Sequence, residues 1–266
     1  MNAYSYFESE KAQNRALEAC RNLLGGRDWA VRDRLRLYDL SRDAFGSPGS
    51  LASFRMIYEE LVRPAPAGGW GIGRNASGPM WTAERAFETL KGLSQFAWGG
   101  GVTLLNFKGS GAEASLLSML ESMRTLKPVK DWPVMAVSKV LHFYNGELFP
   151  IYDNEVIWKK VLNRFREEFR QFCRSYSPPY DIGETPIFYR NYLNWGNELL
   201  NYAYPGLMAN FVRWLGKQTG ADLPRRSFDP GRLYATAFEY MIIGAYADST
   251  PGQRSIAGIT QSCRAS

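Results

Sequence analysis

The chain of 266 residues is 45% hydrophobic and carries a net charge of +6, from 32 lysines and arginines against 26 acidic residues. This composition is typical of a globular protein with a sizeable core, and the excess of positive charge favours a polyanionic partner such as nucleic acid. Three scattered cysteines and a single histidine argue against a disulfide framework, a four-cysteine iron–sulfur cluster and a zinc site.

The apolar runs of the sequence are short. The longest, such as YMIIGAYA near residue 240, fall well below the roughly 20 residues of a membrane helix. The N-terminal stretch MNAYSYFESEKAQ lacks the basic start and apolar core of a signal peptide. We therefore expect a cytoplasmic protein with no membrane partner.

The first part of the chain reads as helices separated by glycine and proline. We predict helices over 5–24, 29–45 and 51–63. Gly25 and Gly26 mark the end of the first helix, and Ser50 is the predicted N-cap of the third. The Gly/Pro-rich stretch 63–81 is expected to be a loop or a crossing between two lobes.

Four further helices are predicted in the middle of the chain, over 82–98, 112–126, 133–144 and 154–176. Pro133 suits the first turn of its helix, and Asn145 with Gly146 closes it. Asp153 stands directly before the last of these helices, where a carboxylate is a favoured N-cap.

The C-terminal part continues the helical pattern. Helices are predicted over 192–203, 205–218 and 230–246, followed by a flexible tail over 251–266. No alternation of apolar and polar residues is long enough to indicate a sheet. We predict an all-α fold in which residues 1–266 form a single two-lobed helical bundle.

Three glycine-containing stretches resemble parts of phosphate-binding motifs. GGWGIG (68–73) follows no predicted strand, which argues against a dinucleotide site. GKQT (216–219) lacks the upstream glycine and the Ser or Thr directly after the lysine that a P-loop requires. KGSGAEAS (108–115) opens a helix whose free N–H groups could hold a phosphate, but a flexible helix entry is the favoured interpretation.

The segment 116–153 has a more specific order. A helix (LLSMLESMRTL), a tight connection (KPVKDW) and a second helix (PVMAVSKVLHFY) are followed by an extended return and Asp153. With the phrase SKVLHF…LFPIYD, this order resembles the helix-hairpin-helix DNA glycosylase superfamily, which includes endonuclease III and the 8-oxoguanine glycosylases. The resemblance covers roughly residues 85–175. Two features depart from it: the connection lacks the family's Gly-hydrophobic-Gly, and there is no four-cysteine loop.

The resemblance implies that Lys139 and Asp153 flank a flipped nucleotide. A carboxylate at a helix N-cap can stabilise the positive charge that develops on a deoxyribose C1′ as the glycosidic bond breaks, or it can orient the attacking group. Lys139 is expected among apolar residues, which lower the pKa of an amine. Such an amine can act as a nucleophile and form a Schiff base. The alternatives are that Asp153 is a plain N-cap and that Lys139 forms an ion pair or contacts a phosphate.

Other residues are assigned by their chemistry and position. His142 is expected to be a core histidine without a catalytic role. The candidate phosphate-binding residues are Lys127, Lys130, Lys159 and Lys160, although the last two could equally lie on a solvated helix face. The candidates for a base pocket or a flipping wedge are Trp70, Trp98, Tyr180 and Trp195.

The resemblance thus implies a DNA glycosylase that acts on double-stranded DNA, and we expect a monomer without a metal ion or cofactor. The resemblance extends to small clusterless bacterial members, among them the bacteriophage replication inhibition DNA glycosylases, which attack hypermodified cytosines in phage DNA. Three alternatives stay open: a repair glycosylase/lyase for oxidised or alkylated bases, a non-catalytic helix-hairpin-helix DNA-binding protein, and a helical scaffold or toxin–antitoxin-type partner.

Overall fold

The computed structural model of the chain describes residues 2–23, 28–46, 48–64, 69–109, 111–176, 185–219 and 228–250. These residues form helices and turns and contain no strand, which confirms the all-α prediction. None of their helices is both long and apolar enough to cross a membrane. The predictions for Gly25, Gly26, Tyr180 and the tail 251–266 lie outside the described residues.

The helices follow one another in short steps along the chain. The α-helices are α1 (Glu10–Leu23), α2 (Asp28–Phe45), α3 (Leu51–Val62), α4 (Ala83–Lys91), α5 (Glu113–Ser122), α6 (Val134–Tyr144), α7 (Arg166–Tyr176), α8 (Pro186–Ala203), α9 (Gly206–Thr219) and α10 (Tyr234–Ser249). A π-helix, Asn154–Leu162, lies between α6 and α7. Short 3₁₀ turns cover Tyr4–Tyr6, Ser94–Phe96, Phe107–Gly109, Met123–Thr125 and Pro230–Arg232.

Side-chain N-caps start several of these helices. The Ser50 hydroxyl accepts a hydrogen bond from the Ser53 N–H (3.2 Å), which confirms Ser50 as the cap of α3. Thr82 accepts from the Arg85 N–H (3.3 Å) at the start of α4. Each cap satisfies one of the backbone donors that a helix leaves unpaired in its first turn.

Several predicted boundaries were wrong; those of α5 and α10, predicted over 112–126 and 230–246, are Glu113–Ser122 and Tyr234–Ser249. The helix predicted from residue 5 begins at Glu10, because the Ser9 hydroxyl accepts from the Ala12 N–H. The helix predicted over 82–98 ends at Lys91, followed by Gly92. The helix predicted from 192 begins at Pro186, since Thr185 caps it and proline fits the first turn. The helix predicted over 154–176 is divided into the π-helix and α7.

Helices α1 and α10, the first and last α-helices of the described residues, pack closely against each other. A Cβ atom built on Gly244 of α10 would lie 1.9 Å from the carbonyl oxygen of Ala16 in α1. Two backbones can approach this closely only where one residue has no side chain. This contact joins two helices that are far apart along the sequence and holds α10 against the rest of the core.

Replacement of Gly244 by alanine is therefore expected to lower the free energy of unfolding by about 3 kcal/mol, since overpacking of a rigid core costs roughly 1–3 kcal/mol and here the clash is with backbone. Urea unfolding of the variant measures the loss. Gly206→Ala is the matched control, because nothing lies within 4 Å of the added Cβ at that position. Equal stabilities for the two variants would contradict the close contact.

Candidate active site around Asp153

The return segment between α6 and the π-helix is held at four consecutive residues by buried side chains. Two side chains donate to its carbonyl groups: His142 of α6 to Phe149 (2.6 Å) and Tyr189 of α8 to Pro150 (2.8 Å). Two side chains accept from its N–H groups: Glu239 of α10 from Ile151 (3.2 Å) and Ser138 of α6 from Tyr152 (3.0 Å). Three different helices thus fix the path of the chain. The next residue after this fixed stretch is Asp153.

Asp153 caps the π-helix, as the sequence predicts. Its Oδ1 atom accepts hydrogen bonds from the N–H groups of Glu155 and Val156, both at 2.8 Å. Among the described residues nothing donates to its second carboxylate oxygen, Oδ2, and the side chain is partly exposed. One oxygen therefore holds the helix start, and the other is left for a further contact.

The backbone carbonyl of Asp153 explains why the following helix is wide. It accepts from the Ile157 N–H (2.9 Å) and also from the Trp158 N–H (3.0 Å). The second bond spans five residues, which is the spacing of a π-helix. Such helices are rare and frequently occur at functional sites.

A buried ion pair lies behind the return segment. The Arg34 guanidinium donates twice to Glu239 Oε1, both at 3.2 Å, while Glu239 Oε2 accepts from the Ile151 N–H. Burial raises the pKa of Glu239; Arg34 opposes this rise, whereas the charge of Asp153 adds to it. The Asp153 carboxylate is thus close enough to the pair to be felt electrostatically.

His142 is a core residue, as predicted, but it also positions the return segment. The Phe149 carbonyl can only accept a hydrogen bond, so His142 Nδ1 carries the proton and Nε2 accepts from the Tyr38 hydroxyl. The Tyr38 oxygen is in turn bonded to the Thr236 hydroxyl (2.6 Å). Burial, with the nearby Arg34 charge, lowers the pKa of His142 well below its ordinary value. The histidine is therefore neutral in the folded protein.

Lys139 of α6 lies beside Trp70, a residue of the loop that precedes α4. Its Nζ atom donates to the Trp70 carbonyl (3.1 Å) and lies 5.9 Å from the centre of the Trp70 ring, and the residue is 8% exposed. The Arg34 guanidinium contacts the same ring at 5.7 Å. Because Ser138 is bonded to Tyr152, the residues that follow them, Lys139 and Asp153, belong to the same part of the molecule.

A second lysine lies near Lys139. Lys127, in the connection between α5 and α6, is 6% exposed. Burial lowers the pKa of Lys127, and the nearby charge of Lys139 lowers it further. The sequence predicts Lys127 as a phosphate contact, but in the structure this residue does not present its side chain at the surface.

The other predicted phosphate contacts are accessible to different degrees. Lys130 is exposed at the start of the turn before α6, and Lys160 is partly exposed. Lys159 is exposed and forms an ion pair with Glu155 one helical turn earlier (2.5 Å). An exposed pair of this kind contributes little to stability, so Lys159 can exchange its partner for a phosphate.

The predicted base-binding aromatic residues do not form one surface. Trp70 is partly exposed beside Lys139. Trp98 is buried and donates to the Ser41 hydroxyl (2.7 Å), and Trp195 is fully buried in the core against Phe169. Of the described candidates, Trp70 is thus the one with a ring close to both the surface and the site.

Sequence reasoning missed the residues that support Asp153. Glu239 is the only charged residue in the otherwise apolar stretch YATAFEYMIIGAYA, and this isolation is a signal that could have marked it as buried and paired. Its partner Arg34 is 205 residues away along the chain, and no local pattern connects them. Ser138 and Tyr189 are buried in the structure, but no pattern in the sequence marks them as partners of the return segment.

The neutral state of His142 predicts an acid sensitivity of the fold. In the unfolded chain a histidine has a pKa of about 6.5, so below that pH the unfolded state binds a proton that the folded state does not. The free energy of unfolding should therefore fall by about 1.4 kcal/mol per pH unit as the pH drops below about 6.5.

Urea unfolding of the wild type and of His142→Gln between pH 8 and 5 measures this effect. Buried carboxyl groups titrate in both proteins and cancel in the difference, so the variant should lose less stability on acidification. Parallel curves for the two proteins would show that His142 takes up its proton equally in both states.

Comparisons of the chain with protein-family models, with curated proteins and with solved structures found no match. The likeness to helix-hairpin-helix glycosylases therefore rests on the phrase at 138–153 and on the order of the elements around it. The case for any activity depends on the residues of this site and on their geometry.

Proposed function

We propose that the protein is a DNA glycosylase of the helix-hairpin-helix type, which flips a modified or damaged base and hydrolyses its N-glycosidic bond. The observation that carries the proposal is the Asp153 carboxylate. One of its oxygens is bound in the helix cap, the other accepts no hydrogen bond from the described residues, and the chain before it is fixed at four consecutive positions. This is the arrangement that an electrostatic catalyst requires.

In the proposed reaction, the bond between C1′ and the base nitrogen breaks first. The base leaves with the bonding electrons and takes up a proton, while positive charge develops on C1′ of the deoxyribose. Asp153 stabilises that charge through its second oxygen and orients a water molecule. The water adds to C1′ and loses a proton, which leaves an abasic site.

Rigidity around Asp153 supports this role. A carboxylate that moves toward the sugar only during the reaction would lose much of its effect to reorganisation, whereas a fixed one does not. The side chains of His142, Tyr189, Glu239 and Ser138 hold the preceding backbone in place.

Lys139 decides whether a second chemical step follows. As a nucleophile, its neutral Nζ would attack C1′ in place of water as the base leaves, and the C1′–O4′ bond would then open to give a protonated Schiff base. Loss of a C2′ proton would expel the 3′ phosphate by β-elimination, which cleaves the strand. To attack C1′, Lys139 would first have to leave the Trp70 carbonyl that now holds it. In the alternative role, Lys139 keeps this contact and its charge attracts the DNA backbone.

The DNA partner is supported by charge and by the order of the helices. The net charge of +6 favours a polyanion, and Lys130, Lys159 and Lys160 reach the surface on the connection and the helix that flank the site. The connection from α5 to α6 would serve as the hairpin that contacts the phosphate backbone. A hypermodified cytosine of phage DNA is proposed as the base on the resemblance alone, with oxidised or alkylated bases as the alternative.

A non-catalytic DNA-binding protein is the second candidate. Asp153 Oδ1 accepts hydrogen bonds from two N–H groups, as the oxygen of a plain N-cap would. This observation favours the second candidate. The two candidates differ in whether the negative charge of Asp153 matters. They are separated by a substitution that removes this charge and keeps the cap.

Asp153→Asn is that substitution, because asparagine caps a helix about as well as aspartate. We expect DNA affinity and stability close to those of the wild type, and a loss of base release of about 100-fold or more, the scale of removing one electrostatic contact in an active site. The assay counts abasic sites by strand scission in hot alkali on normal and phage-modified DNA.

The matched control is Asp229→Asn, which alters another N-cap aspartate, at an exposed 3₁₀ turn. This control should release the base at the wild-type rate. A fully active Asp153→Asn protein would rule out the proposed mechanism, and a wild type that binds every DNA tested without producing abasic sites would favour the non-catalytic candidate.

Lys139→Gln tests the second step. If Lys139 forms the Schiff base, borohydride should trap the wild type covalently on the DNA, and the variant should give no trapped complex while it still produces abasic sites. A gel that separates the covalent complex from free protein measures the trapping. Trapping of the variant at the wild-type level would assign the amine to another residue.

A further inference from the structure

A cavity of about 290 Å³ lies where the π-helix meets α7. Its walls include two aromatic side chains, Trp158 and Phe169, and three cations, Lys159, Arg166 and Arg170. No carboxylate is among the residues that line it. The cavity thus combines a flat apolar wall with positive charge, and it differs from the surroundings of Asp153, where an acidic residue, Glu239, pairs with Arg34.

Trp158 is an unusual surface residue. It is 36% exposed, and it is one of the few large apolar side chains that the described residues leave open to solvent. Its ring packs edge-on against Phe188 of α8, with the ring centres 5.6 Å apart, and Phe188 packs in the same way against Tyr152 (5.4 Å). The ring is therefore supported from the core, while part of it faces the cavity.

One cation of this cavity, Arg166, is open to a ligand. Arg166 is exposed and makes no ion pair with any described residue. Arg170 contacts Glu167 at 3.3 Å, and that glutamate is itself 75% exposed. Arg170 is only partly exposed and has a further contact. Arg166 is therefore the guanidinium that offers a fork of donors matching the oxygens of a phosphate.

An aromatic ring beside guanidinium groups is an arrangement suited to a nucleotide, because the ring can stack on the base and the guanidinium can bind the phosphate. Any of the four bases can stack on an exposed tryptophan, and arginines can hold the phosphate of the same nucleotide. The volume is close to the lower end of the range for small-ligand sites, which suits one nucleotide unit. An acidic peptide would satisfy the cations but would leave the indole without a stacking partner.

The cavity is also connected to the candidate active site. The Trp158 N–H donates to the Asp153 carbonyl (3.0 Å), so the ring and the carboxylate are attached to the same wide turn. We infer that this cavity binds one unpaired nucleotide of a DNA strand, with its base stacked on Trp158 and its phosphate held by Arg166. The inference rests on the proposed function for the identity of the strand, while the binding chemistry is that of the cavity.

The test is the affinity of the full chain for a labelled single-stranded oligothymidylate, measured by fluorescence anisotropy. Trp158→Ala should weaken binding about 10-fold, within the range found when a base-stacking aromatic residue is removed. Trp158→Phe keeps a ring and should stay within about 3-fold of the wild type. Arg166→Gln should also bind more weakly, and the slope of its log affinity against log salt concentration should be smaller in magnitude by about one.

Arg21→Gln, at an exposed position of α1, is the control for loss of one surface charge and should bind like the wild type. Circular dichroism of each variant shows whether it is folded. Thymidine monophosphate that competes with the oligonucleotide at equal concentration would indicate a site for free nucleotides and would overturn the strand assignment. Equal affinities of Trp158→Ala and wild type, or no binding by the wild type, would overturn the inference altogether.

Asp153→Asn separates this inference from the proposed function. Loss of binding in Trp158→Ala, also in the Asp153→Asn background, supports the nucleotide site even if the wild type never releases a base. Base release that depends on Asp153 together with binding that does not depend on Trp158 removes the nucleotide site and leaves the glycosylase proposal intact.

Discussion

The buried ion pair between Arg34 and Glu239 is the interaction on which the geometry of the site depends. Glu239 uses one carboxylate oxygen for Arg34 of α2 and the other for the backbone of Ile151, so α2, α10 and the return segment share one residue. Removal of one partner of a buried pair leaves an uncompensated charge, at a cost of about 3–5 kcal/mol. The pair is therefore a point where stability of the fold and the position of Asp153 are coupled.

Much of the fold could be predicted from the sequence because its signals are local. The cap at Ser50 and the end of α6 at Tyr144 depend on residues within one or two turns of the boundary. The start of α8 was missed although Thr185 and Pro186 form a local signal, since the apolar period alone places the start later. The π-helix was not predicted, because its bonds run over a span that apolar periodicity does not distinguish from an α-helix.

The candidate site was predictable only in part, for the same reason. Asp153 is visible as a cap from its neighbours in sequence, whereas its supporting residues come from helices far away along the chain. Lys139 was expected among apolar residues, and it does lie largely inside the protein, but its contact with the Trp70 carbonyl depends on a loop that the sequence leaves undefined. Long-range pairing is decided by packing, and one sequence does not contain it.

The π-helix sets the relative orientation of two chemical groups. A π turn contains one residue more than an α turn, in which each residue advances the helix by about 100°. A chain shortened by one residue within 154–157 could close into an ordinary helix, and Asp153 would still cap it. Every side chain beyond the deletion would then point in a new direction, including the indole at the cavity. The extra residue thus acts as a spacer that fixes the angle between a carboxylate and an aromatic ring.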